Sequence, residues 1–265
     1  MNEKCRGKVY LVGAGPGDPG LLTVKADRLL RRADVVLHDD LVPEPILALA
    51  RPDTEVANVG KRCGVKGITQ DEINARMIRA ARSGLQVVRL KSGDPGIFGR
   101  LAEEIDALES AEVPFEVVPG ITAGTAAAAA LGVSLTDRRN AARVVVVTNH
   151  EAHGATLARK TDWKALIRED ATLLIYMPGH DFGRLRAELL AAALSPETPA
   201  AIVSRATIAG ERHRFTTLGE LDRLPRMESP AVLLIGWSLD RARRRSADAA
   251  ASRAFNEAEL ILSSL

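Results

Sequence analysis

Short apolar runs that stop at glycine-rich or acidic turns alternate with runs of helical spacing through the first half of the chain. Lys8 to Val12 reads as a strand ending in Gly13-Ala14-Gly15-Pro16-Gly17-Asp18-Pro19-Gly20. A helix is predicted from about Leu22 to Arg32, with Thr23 or Asp18 as its cap. Val35 to Val42 runs into Asp39 and Asp40, and Glu55 to Val59 is closed by Gly60-Lys61-Arg62-Cys63-Gly64. Gln70 to Ala81 has helical spacing through Ile73, Met77, Ile78 and Ala81. The apolar run that begins at Val87 stops at Ser92-Gly93-Asp94-Pro95-Gly96, and Ile97, Leu101, Ile105 and Leu108 then predict a helix to about Ser110. Phe115 to Val118 leads into Pro119-Gly120-Ile121-Thr122-Ala123-Gly124 and an alanine-rich stretch from Thr125 to Leu131. This alternation predicts a doubly wound α/β domain with its polar strand ends on the carboxyl edge.

Ser134 to Asn140 is polar and charged and reads as the crossover to a second α/β domain. The expected division is 8–136, 137–240 and a tail, 241–265. Strands are predicted at Arg143 to Thr148, Thr172 to Met177, Ala200 to Ser204, Arg214 to Thr217 and Ala231 to Ile235. Helices are predicted at about Phe182 to Ala193 and Leu218 to Leu224, and the tail from Asp240 has the composition of a terminal helix.

With 265 residues, 46% of them hydrophobic, the chain can bury a substantial core, and aromatics at 3% leave that core to Leu, Val, Ile and Ala. A formal net charge of +2 does not point to nucleic acid. Cys5 and Cys63 are far apart, which argues against a disulfide scaffold and a Cys-based metal site, so no metal is expected. Met1 to Val9 has no apolar core and no run approaches a membrane span, so a cytoplasmic protein is expected.

The turn Ser92 to Gly96 suits a small molecule, because ligands of open α/β sheets sit outside the carboxyl ends of strands and glycine permits close approach. Asp94 can accept from hydroxyl or amino groups there. The first loop invites a dinucleotide reading, but the third glycine position is Asp18, and Pro16 and Pro19 donate no N–H to a pyrophosphate. That loop is expected to receive something uncharged or cationic. Asp39 or Asp40 can bind a ribose or act as a base, and Lys61 with Arg62 suits an anionic substrate. Thr122 can donate through its hydroxyl, and Tyr176-Met177-Pro178-Gly179 ends a strand with a soft thioether.

Taken in order, Val12 to Pro19, Asp39 with Leu41-Val42, Gly60-Lys61-Arg62, Arg89 to Pro95, Val118 to Ala123, Leu135 to Arg138 and Tyr176-Met177 resemble the tetrapyrrole methylases. The resemblance covers roughly Lys8 to Gly236. It implies two α/β domains with the active site in the cleft between them, S-adenosyl-L-methionine as cofactor, and a homodimer. It places the cofactor near Pro16, Ser92, Gly93, Asp94, Ile97, Thr122, Ala123, Met177 and Ala206. It implies Asp39 as proton acceptor and Lys61 as proton donor. Asp39, Gly60-Lys61-Arg62 and Ile97 to Arg100 single out the member that methylates uroporphyrinogen III at C2 and C7 to give precorrin-2. Lys61, Arg62, Arg89, Lys91, Arg100, Arg138 and Arg139 are the cations available to the substrate's carboxylates.

Family members usually carry Gly at Ser92, a larger apolar residue at Gly96, Gly at Ala102, His at Asp137 and Gly at Asn149. A carboxylate facing an acidic substrate would repel it, so Asp137 is expected to point away or to pair with Arg138 or Arg139. The alternatives are a sibling acting on a later corrin intermediate, a diphthamide precursor or ribosomal RNA ribose, and a non-catalytic nucleotide-binding module. Asp39 with Gly60-Lys61-Arg62 disfavours the siblings, and the failed fingerprint disfavours the module. With no oxidase or chelatase segment in the chain, a single-function methylase is expected.

Overall fold

The computed structural model describes residues 7–60, 68–149 and 161–249. The chain divides into two compact units, Met1–Ala126 and Ala127–Leu265, and the boundary in sequence falls within the helix Ala123–Leu131.

In the first unit β1 (Lys8–Gly13), β2 (Val35–His38), β3 (Glu55–Asn58), β4 (Gln86–Lys91) and β5 (Phe115–Val118) form a sheet in the order β3-β2-β4-β1-β5. Every pairing in it is parallel. Helices are α1 (Val24–Leu30), α2 (Glu44–Leu47), α3 (Gln70–Arg82), α4 (Leu101–Ser110) and α5 (Ala123–Leu131). A parallel sheet covered on both faces needs strands that are apolar on both sides. Val9, Leu11, Val35, Leu37 and Val87 face Ile73, Met77 and Ala81 of α3 and Leu108 of α4. Val12, Val36, Val88 and Leu90 face Ala26 and Leu30 of α1 and Ile46 of α2. Leu11, Leu30, Ile46, Met77, Leu90 and Leu108 are fully buried. Each such side chain contributes about 1.5–3 kcal/mol of transfer free energy.

Local signals set the helix starts. Thr23 caps α1 by accepting from the Ala26 N–H at 3.1 Å, whereas Asp18 accepts from Gly20 at 2.8 Å and caps a separate 3-10 turn, Pro19–Leu21. The single helix expected from Leu22 is thus two short pieces, because Thr23 is extended at φ −66°, ψ 146°. Thr69 and Glu72 form a reciprocal capping box on α3. The helix expected from the spacing that starts at Ile97 begins only at Leu101, since Phe98 and Arg100 take left-handed φ values of 53° and 56°.

β1 leads to α1 on one face, while its neighbour β4 leads to α4 on the other. The connections after these neighbouring strands pass to opposite faces of the sheet, the arrangement beside which ligands of open α/β sheets bind.

In the second unit β6 (Arg143–Thr148), β7 (Ala171–Tyr176), β8 (Pro199–Ser204), β9 (Arg212–Thr217) and β10 (Ala231–Ile235) have the order β6-β7-β10-β8-β9. Only β6 and β7 are parallel neighbours. Leu173, Ile175, Ile202, Leu233 and Ile235 pack against α6 (Trp163–Leu166), against Phe182, Leu185 and Leu189 of α7 (Phe182–Ala191), and against Leu218 and Leu221. Leu218–Arg223 is a 3-10 segment rather than the expected α-helix, with the Gly219 N–H donating to Pro196 O at 2.7 Å. Residues 240–249 are helical. Among the described residues no helix is long and apolar enough to cross a membrane.

Candidate functional site

The loops that follow β4, β1 and β5 are knitted together by backbone. Ala14 N–H donates to Lys91 O at 2.7 Å, and Gly15 and Gly93 exchange amide bonds at 2.8 and 3.1 Å. The Asp94 carboxylate accepts from the Gly96 amide at 2.8 Å and the Gly120 amide at 3.0 Å. A Cβ on Gly13 would lie 2.6 Å from Gly120 N, and one on Gly120 would lie 2.3 Å from Gly93 O. These two glycines are therefore required by backbone against backbone rather than by any ligand. Gly93 differs. It has φ +70°, and a Cβ there would come no nearer than 3.8 Å to Ala123 N and Thr122 Cα and 4.0 Å to Ile121 O.

Ser92, Gly93 and Asp94 thus stand beside Thr122 and Ala123 on one sheet edge, with Pro16 directly after Gly15. Ile97 and Phe98 are exposed apolar side chains just beyond that turn. No phosphate cradle is formed: Pro16 and Pro19 lack N–H groups, and the Gly20 amide is taken by Asp18. That suits an uncharged or cationic ligand better than a pyrophosphate.

Asp39 lies on the same edge, at the end of β2. Its amide donates to Leu90 O at 3.2 Å, and its carboxylate accepts from Arg89 Nη2. Arg89 Nη1 also donates to Leu37 O at 3.3 Å, and Nε donates to Glu104 Oε1 at 3.0 Å. Lys91 Nζ reaches both Glu104 oxygens at 2.9 Å. Arg89, Lys91 and Glu104 are 3%, 2% and 0% exposed, whereas the Asp39 side chain is 30% exposed. Burial, reinforced by the Arg89 charge, holds the Lys91 ammonium below the ordinary lysine range. Two cations and two carboxylates balance, and only Asp39 opens to solvent. Asp40 is held differently, accepting from Asn58 Nδ2 at 2.6 Å.

Met177 and Ala206 belong to the second unit. Met177 follows β7 and Ala206 follows β8, strands that flank β10 and end on the same edge. Met177, Arg205 and Thr207 take φ values of 47°, 55° and 68°. Of the seven non-glycine residues with positive φ among those described, these three with Phe98 and Arg100 lie in loops that carry cofactor candidates. Such strain persists where the surroundings over-determine it, commonly at functional sites. Lys61 and Arg62 lie outside the described residues, as do Cys5 and Cys63.

Residues 8–222 match the model of the Tetrapyrrole (Corrin/Porphyrin) Methylases. The chain belongs to this family.

A Siroheme synthase 1 of Klebsiella pneumoniae is 43% identical over 235 residues, 88% of this chain and 49% of that protein. The chain spans about half the length of the curated relatives it matches. The uroporphyrin-III C-methyl transferase of Thermus thermophilus, solved with S-adenyl homocysteine, superposes with a TM-score of 0.76 at 39% identity, covering 88% of this chain and 99% of that one. A cobalt precorrin-4 methyltransferase gives a TM-score of 0.79 at 32% identity over 90% of this chain and 98% of that one.

The cations offered by the sequence are not all available to a substrate. Arg89 and Lys91 are buried in ion pairs and are withdrawn from that role. Arg100 pairs with Glu103 and Arg139 with Asp137, the latter as expected. Arg138 is exposed. Sequence reasoning passed over Glu104. Its signal was a carboxylate one turn before Leu108, on the buried side of α4, opposite a strand carrying Arg89 and Lys91 at alternate positions.

Proposed function

We propose that this chain is an S-adenosylmethionine-dependent C-methyltransferase that converts uroporphyrinogen III to precorrin-2 by methylation at C2 and C7. The observation that carries the reading is one sheet edge where a turn without a phosphate cradle stands beside an aspartate held by a buried arginine. Likeness to a uroporphyrin-III C-methyl transferase along nearly its whole length supports the same substrate. The product would feed sirohaem and cobalamin synthesis.

Pro16, Ser92, Gly93, Asp94, Ile97, Thr122 and Ala123 would hold the cofactor in the first unit, and Met177 and Ala206 are the second unit's candidates. S-adenosylmethionine supplies a methyl group on a sulfonium that leaves as a neutral thioether. The chain's own work is therefore alignment of the pyrrole carbon and exclusion of water. Asp39, partly open to solvent, accepts the proton lost from the methylated macrocycle, typically worth about 10²–10⁴-fold. Lys61 is the proposed proton donor. We further place the enzyme in the cytoplasm as a homodimer, in keeping with the resemblance; light scattering after gel filtration tests the dimer.

A sibling acting on a later corrin intermediate is the second reading, favoured by the superposition on cobalt precorrin-4 methyltransferase. One assay separates the two. The purified chain is incubated with S-adenosylmethionine and either uroporphyrinogen III or later corrin intermediates, and products are weighed by mass spectrometry. Gain of two methyl groups on uroporphyrinogen III is expected; gain only on a later intermediate selects the sibling.

A further inference from the structure

We infer that Arg89 is a positioning residue for the reaction: its guanidinium, locked from behind by Glu104, which Lys91 in turn holds, keeps the Asp39 carboxylate in the orientation that receives the proton. This rests on the reading of Asp39 as proton acceptor.

A face of a parallel sheet is normally apolar, and β4 obeys that at Val87. At the next two positions on the same face it places Arg89 and Lys91, and α4 answers with Glu104. Gln70 and Asn74 of α3 complete the polar layer, Gln70 donating to Asn74 at 3.1 Å and to Glu104 at 3.4 Å. Buried ion networks of this kind are weak evidence for stability, because well-packed apolar replacements often do as well. What they do specify is geometry. Arg89 is fixed along its whole fork: Nε on Glu104, Nη1 on Leu37 O and Leu90 O, Nη2 on Asp39. Leu37 and Asp39 lie two residues apart at the end of β2, so one guanidinium grips both the strand and the carboxylate. The planar fork matters here, since a lysine ammonium cannot span these separated acceptors. The solvent-exposed end of the network is the proposed reacting group, and every other charge in it is buried.

Charge balance indicates which variants fold. Arg89→Met leaves Glu104 paired with Lys91 and leaves Asp39 free to hydrate. Arg89→Lys keeps the cation and removes only the fork. The test measures kcat and KM on uroporphyrinogen III for wild type, R89M, R89K, D39N, R89M/D39N and R89K/D39N, with adenosylhomocysteine affinity by calorimetry. Positioning predicts that R89M and R89K each lower kcat by about 10–100-fold while cofactor affinity stays within about twofold. It also predicts that either substitution changes kcat by less than about threefold once Asp39 is Asn, because the two residues act as one unit. If R89M does not fold, R89K and its double variant decide. Wild-type kcat in R89K, or losses that multiply in the double variant, would overturn the inference while leaving Asp39 as acceptor. Wild-type kcat in D39N would overturn both together.

Discussion

The Asp94 carboxylate accepts the Gly120 amide at 3.0 Å and so ties the turn after β4 to the loop after β5. Its other oxygen closes its own turn on Gly96 at 2.8 Å. A residue read from sequence as a ligand acceptor is also a structural clasp. Asp94→Ala leaves two amides without their acceptor and is expected to cost about 1–3 kcal/mol of stability, and to weaken cofactor binding as the turn loosens. Urea denaturation and calorimetry with adenosylhomocysteine check both; unchanged values in each would remove Asp94 from the clasp and the site.

The adjacent carboxylates Asp39 and Asp40 are expected to separate cleanly. Asp39→Asn should lower turnover by about 10²–10⁴-fold with cofactor affinity nearly intact. Asp40, bonded to Asn58, is a turn residue, and Asp40→Asn should leave turnover within a few-fold of wild type. Equal losses in the two variants would show that the turn, not the acceptor, was being disturbed. For Lys61→Ala, a fall in kcat supports proton donation, whereas a raised KM with normal kcat assigns the lysine to substrate carboxylates.

Gly120→Ala should be among the more damaging single-methyl changes in the first unit. The new Cβ would lie 2.3 Å from Gly93 O and 2.8 Å from Gly13 Cα, all backbone and unable to yield. Overpacking of this kind typically costs about 1–3 kcal/mol. Gly183→Ala is the control, since its Cβ would meet only an Asp181 oxygen at 3.8 Å in a helix. Replacing that helical glycine is expected to be neutral or to stabilise by about 0.4–1 kcal/mol. Melting both variants beside wild type settles the contrast.

Asp137 gives a pH-dependent prediction. Hydrogen bonds from the Arg139 side chain and amide lower its pKa from 3.8 to about 2. A lowered folded-state value stabilises the protein above pH 3.8, and that contribution fades as pH falls toward about 2. The pair is exposed, so the stability difference between wild type and Asp137→His at neutral pH should be small. Turnover on uroporphyrinogen III should be equal or modestly higher, because the carboxylate is already engaged by Arg139 and its loss removes only a weak repulsion of an acidic substrate. Abolished turnover would make Asp137 a substrate-reading residue.

Much of this molecule follows from local signals. Phe115–Val118, Arg143–Thr148 and Ala231–Ile235 form strands with the expected bounds, because apolar runs bounded by turn residues leave little choice. The caps Thr23, Asp18 and Thr69 act within three residues of themselves, so their side chains declare the turns they begin. The glycine loops and Asp39 were equally visible as strand ends. By contrast, α2 escaped notice because it has only four residues, with Pro43 at its cap and Pro45 inside it. The 3-10 form of Leu218–Arg223 depends on how Gly219 meets Pro196, a contact that no periodicity encodes.

Tertiary structure alone decided what the polar residues do. The order β3-β2-β4-β1-β5 brings Gly13, Gly93 and Gly120 together from three separate turns, and only that adjacency makes a Cβ impossible at two of them. Arg89 and Lys91 look like surface cations in a list of residues. They become a buried scaffold because α4 crosses the face on which they lie and sets Glu104 between them. A charged side chain's role depends on its partner and its exposure, and both are properties of the packed chain: apolar spacing chooses the elements, but strand order and helix placement choose which charges meet.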